Sequence, residues 1–73
     1  MNKLYYRIVF LGEKLQSFDF TKNDFVPGLV TNNSSIFSKN DFFKACDIMK
    51  RLRTEYPEKA DCIYVDSFLK WEN

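Results

Sequence analysis

The chain holds no histidine, two cysteines and ten acidic side chains. Those numbers decide most of what chemistry it can do. Without histidine, the commonest general base, the commonest metal ligand and the usual pH switch are all missing. Ser-His and Cys-His nucleophile pairs cannot form within one chain. Cys46 and Cys62 are sixteen positions apart and make no C-x-x-C, so zinc and thioredoxin-type redox readings fail. They read as two free, buried thiols of a cytoplasmic protein, packing as small hydrophobes.

The carboxylates are Glu13, Asp19, Asp24, Asp41, Asp47, Glu55, Glu58, Asp61, Asp66 and Glu72. None pairs at helical spacing with another ligand type, so no metal site is expected. Asp19 and Asp66, on what read as neighbouring strands, could approach one another, but solvated strand positions explain both. No glycine-rich phosphate loop occurs, and Ser34 and Ser35 have no base partner. The expectation is a protein that is not an enzyme and carries no cofactor.

Binding remains. Lys44, Lys50, Arg51 and Arg53, with Lys39, make one side of a helix basic, interrupted by Asp47 and Glu55. A solvated helix face with an Asp47–Arg51 pair accounts for this; the sharper reading is a phosphate-contacting patch. Tyr5, Tyr64 and Phe68 are candidates for a sheet platform that stacks bases. Phe43 lies about 100° round the helix from Phe42, at the edge of the apolar stripe. It reads as a boundary aromatic or as an anchor for a partner protein.

Something must position these groups. Seventy-three residues make one domain, with a marginal core that buries about 60% of its unfolded surface. Eight Phe, four Tyr and one Trp supply large buried areas to offset that. A net charge of +1 gives no steering field for nucleic acid. There is no apolar run of about 18 residues for a membrane span. The start, MNKLYYRIVFLGEK, is interrupted by Arg7 and lacks a small-residue cleavage site, so it reads as a strand and not a signal peptide. The Asn-x-Ser matches at Asn32 and Asn33 are taken as chance.

Residues 3–11 are β-branched and aromatic, and 14–21 form their return strand around Gly12-Glu13. A two-residue loop would put Arg7 on the core face with Tyr5, Val9, Leu11, Phe18 and Phe20. A one-residue slip pairs Ile8 with Phe18 and Tyr6 with Phe20, giving a uniformly apolar face of Leu4, Tyr6, Ile8, Phe10, Phe18 and Phe20. Only one register can hold. The second is favoured, with a longer turn or a bulge near Gly12.

Residues 22–37 lack helical period. Val26-Pro27-Gly28-Leu29 fits a type II turn, Leu29-Val30-Thr31 a short strand, and Asn32 to Ser35 turn chemistry. So long a connection is either functional or hides a strand and a corner.

Residues 39–56 are the one clear helix. Ser38 and Asp41 predict a capping box whose loss would cost about 1 kcal/mol. Phe37 and Phe42 have the spacing of a hydrophobic staple. Phe42, Ala45, Cys46, Ile48, Met49, Leu52 and Tyr56 form the apolar stripe, and Pro57 stops the helix. Residues 62–71 are a third main strand whose alternation breaks beyond Ser67.

The sum is an α+β fold: a single helix on a small three- to four-stranded, mainly antiparallel sheet, in the order β-β-(β)-α-β. The expected function is a small non-enzymatic protein-interaction module. Composition suggests a phage-encoded or bacterial inhibitor or regulator that binds a partner protein or a second copy of itself. The alternative is a nucleic-acid-binding domain using the basic helix flank and the sheet aromatics. The partner-binding candidates are Phe43, Lys50, Arg51, Arg53, Tyr5, Tyr64 and Phe68.

Overall fold

The computed structural model describes residues 1–72. Strand β1 (Asn2–Leu11) runs through the middle of a five-stranded antiparallel sheet. Strand β2 (Leu15–Asp19) returns beside its C-terminal half, with Val9 opposite Ser17 and Leu11 opposite Leu15. The favoured register therefore holds, and the loop is three residues, Gly12 to Lys14. A Cβ on Gly12 would run into the Phe10 ring, so glycine is what lets the chain turn under that ring.

Strand β3 (Asp24–Pro27) continues from β2, with Phe25 opposite Phe18. The expected strand at 29–31 does not form. The strand comes earlier because Phe25 finds a core place beside Phe18, with ring centroids 5.2 Å apart. Gly28 then takes φ +82, the sign that the third position of the expected type II turn requires.

The two-residue strand β4 (Phe37–Ser38) pairs with Tyr6 and Tyr5 on the same edge of β1 as β2, in the stretch that β2 leaves free. Helix α1 (Phe42–Glu55) follows a 3-10 turn at Lys39–Asp41. This corrects the predicted start of the helix. Ser38 belongs to a strand, and its side chain makes no capping bond to the backbone. Its hydroxyl instead reaches the Asp41 carboxylate at 3.4 Å. Nor do the two phenylalanines clasp one another. Phe37 packs edge-on to Phe20 at 5.7 Å, and Phe42 against Tyr6 at 4.8 Å. The helix ends at Glu55, as Pro57 requires, with the Tyr56 amide closing on the Leu52 carbonyl at 2.8 Å.

Strand β5 (Ile63–Trp71) lies along the other side of β1 for nine residues, from Asn2–Trp71 to Phe10–Ile63. Partners across an antiparallel ladder share a face. Leu4, Tyr6, Ile8 and Phe10 therefore stand on the helix side with Ile63, Val65, Leu69 and Trp71. Ile8, Phe18, Phe25, Leu52 and Ile63 form the core, flanked by Phe10, Phe20, Phe37, Ile48, Met49 and Tyr56. The predicted helical stripe supplies its lid, although Cys46 and Cys62 are half-buried free thiols and not fully buried ones.

Candidate functional site

The sheet has a second face, and the long connection 28–36 lies across it. Ser17 is fully buried there; its hydroxyl donates to the Gly28 carbonyl and accepts from the Val30 amide, both at 2.8 Å. The Ser35 hydroxyl accepts from the Phe20 amide at 2.9 Å. Arg7 is buried on the same face. Its Nε donates to Asp66 Oδ2 at 2.9 Å, Nη1 to the Val30 carbonyl at 3.1 Å, and its guanidinium lies 4.0 Å above the Phe68 ring. The connection is thus a structural cover, held by side chains of β1 and β2.

The same arrangement accounts for two acidic residues. Asp66 meets Arg7, not Asp19: β1 lies between their strands, which corrects their expected approach. Asp19 instead takes the Thr21 hydroxyl at 2.6 Å. That bond, aided by the Thr21 and Lys22 amides, holds its carboxyl below the usual range. Tyr5 donates its hydroxyl to the Glu72 carboxylate at 2.7 Å. The bond lowers the Glu72 pKa and raises that of Tyr5.

Each predicted binding residue now has a place. Tyr5 and Phe68 are direct partners on the second face, with ring centroids 6.1 Å apart. Both are half-covered, by Glu72 and Arg7. Tyr64 is exposed on that face and donates its hydroxyl to the Asp61 carbonyl. It borders an open groove of about 400 Å³ with Leu11, Leu15 and Leu29.

Lys50 and Arg51 are exposed on α1, on the opposite side of the sheet. Arg51 lies 3.6 Å from Glu55, not with Asp47 as expected. Arg53 spends Nε and Nη2 on the Ile63 carbonyl, at 3.0 and 2.6 Å. Its guanidinium, 5.6 Å from the Tyr64 ring, is where the two groups meet. The rest of the basic flank and the aromatic platform do not share a surface.

Phe43 is 79% exposed, with its ring 5.6 Å from Phe42. Through Phe42 it stands over Tyr6, where α1 begins. Beyond Tyr6 on that same side, Leu69 and Trp71 are 64% and 68% exposed. Sequence reasoning missed these two. The signal was the run of apolar residues after Ser67, which breaks strand alternation.

Among the described residues β5 pairs with β1 and with no other strand. Met1 and Glu72 exchange both backbone bonds, at 2.8 and 3.1 Å. Bonding pairs alternate along an antiparallel ladder. The even residues of β5 therefore bond to β1, and Val65, Ser67, Leu69 and Trp71 point their N–H and C=O groups outward. Arg53 on the Ile63 carbonyl fits this alternation. No protein family, curated protein or solved structure matches the chain. Among the described residues no cluster of three metal-ligating side chains occurs, and no helix is long and apolar enough to cross a membrane.

Proposed function

We propose that the protein is a non-enzymatic interaction module, and that it binds protein through the outward edge of β5 and the uncovered apolar end of the sheet. One observation carries this reading. Phe43, Leu69 and Trp71 are exposed on one side of the sheet, beside a strand with free backbone donors and acceptors. A bare strand edge is a template for strand addition, and exposed aromatics are typical anchors at interfaces. A role as inhibitor or regulator in a bacterial or phage-infected cytoplasm belongs to the same proposal; composition and the two free thiols support it.

The nucleic-acid reading has weaker support. It needs the basic flank and the aromatics on one surface, and the sheet lies between most of them. The test is sedimentation of the purified chain together with a pull-down in which the wild type and a Phe43→Ser/Leu69→Ser/Trp71→Ser variant are compared. A defined protein, or a second copy, held by the wild type and lost by the folded variant is the expected result. A wild type that is monomeric and retains nothing would refute the proposal.

A further inference from the structure

The edge of β5 carries its own complement. On the second face the strand presents Asp66 and Lys70, four residues apart, with Phe68 midway. Asp66 gives Oδ2 to Arg7, which leaves Oδ1 free to accept. Lys70 donates to the Thr31 carbonyl at 3.3 Å and to Asn33 Oδ1 at 2.9 Å, and an ammonium has a third proton to give.

Suppose this edge pairs antiparallel with the same edge of another copy. Outward-pointing residues must then face outward-pointing residues, so only a few two-fold axes are allowed. An axis through residue 66 sets Asp66 against Asp66. An axis through 69 sets Asp66 against Glu72. Like charges directly opposite are destabilising. An axis through 67 requires the Ile63 carbonyl, which Arg53 already occupies, and leaves Asp66 facing Phe68. An axis through 68 avoids all of this. It sets Asp66 against Lys70 twice, flanking a Phe68–Phe68 pair. These are non-hydrogen-bonded pairs, where side chains approach closest. On the helix side, Val65 meets Trp71 and Ser67 meets Leu69, so both exposed apolar residues gain a neighbour.

We propose that β5 pairs antiparallel with β5 of a second copy of this chain, with Phe68 opposite Phe68, joining two sheets into one. This rests on the reading of the β5 edge as the binding surface and names its occupant. Such a contact is isologous, so it closes at two copies.

The test is sedimentation equilibrium of the wild type and two variants across a concentration series. Leu69→Pro removes an outward N–H and leaves the ladder to β1 intact, as proline is tolerated at such an edge position. Lys70→Asp sets one carboxylate against each Asp66. The expected result is a wild-type dimer that Leu69→Pro weakens by about a hundredfold and Lys70→Asp by at least about tenfold. Circular dichroism checks that each is folded. Should Leu69→Pro not fold, Lys70→Asp decides alone.

A dimer that both variants leave unchanged overturns the pairing, and one unchanged by Lys70→Asp alone overturns the register. A wild type monomeric up to about 1 mM overturns the second copy as occupant. In that case, a lysate protein retained by the wild type but not by Leu69→Pro preserves the reading of the edge as a binding surface. Retention of nothing ends both.

Discussion

The two ends of the β1–β5 ladder use the same kinds of residue on the same face and finish in opposite states. At one end Ile8 and Ile63 are wholly buried beneath α1. At the other, Leu69 and Trp71 stand in solvent. The cause is length. A ten-residue strand extends about 33 Å, whereas a 14-residue helix extends about 21 Å. The helix starts over Tyr6 and reaches the Ile63 end, so the sheet projects past it, and the molecule measures 39 × 23 × 19 Å. A side chain's contribution to stability here depends on which end of one ladder it occupies, not on its apolarity.

That contrast can be broken by truncation at each end. Ile8→Ala or Leu52→Ala should cost about 2–5 kcal/mol, since each leaves a cavity in the core. Urea unfolding measures it. In so small a domain that loss is enough to unfold much of the population. Arg7→Ala comes next, at about 1–3 kcal/mol, because the Val30 carbonyl loses its buried donor. Asp66 is partly solvated and adds less. Faster amide exchange at Val30 would show the connection coming loose; unchanged exchange would mean that Ser17 alone holds it.

pH sharpens the same division. Asp19 and Glu72 have lowered pKa values in the fold. Their stabilisation is therefore present above the ordinary carboxylate pKa of about 4 and is lost as pH falls through the folded values. Tyr5 and Tyr56 have raised values, Tyr5 chiefly from its bond to Glu72 and Tyr56 chiefly from burial. Their contribution is present below about pH 10 and lost as pH rises through the folded values. Thermal melts should fall off on both sides. Glu72→Gln should flatten the acid limb, and an unchanged limb would place the effect elsewhere.

The smallest effects are expected at the uncovered end. Leu69→Ala, in dilute monomer, should change stability by no more than about 0.5 kcal/mol. Ser38→Ala should also stay within about 0.5 kcal/mol, because no backbone cap is lost. A loss near 1 kcal/mol at Ser38 would restore the capping box that the sequence suggested.

Local signals were legible where one choice of pattern was clearly better than its rival. The slipped register of β1 and β2 follows from keeping Arg7 out of an apolar face. The helix stop follows from Pro57, and the turn at Gly28 from Pro27-Gly28. Ser38 misled because its capping signature is real, but pairing with Tyr5 uses the same backbone first. Phe37 and Phe42 misled in the same way: their spacing suits a staple, yet Phe20 and Tyr6 offer better partners. Of the candidate site, Phe43 was legible as an aromatic at the edge of the stripe. Leu69 and Trp71 were not, since an apolar residue in a strand reads as core unless the reach of its cover is known.

Residue types and their periodicity alone determined that this chain makes one helix and an antiparallel sheet. They also determined that it lacks the histidine-based chemistry of many enzymes. Hydrophobic period and turn residues act over a few positions, which is why they can be read in order. Only the tertiary structure decided that Arg7 is buried over Phe68, that the 28–36 connection is a cover, and that β5 is an edge. Those facts depend on which strands lie side by side and how far a helix reaches across them, and both are set by packing between residues distant in sequence.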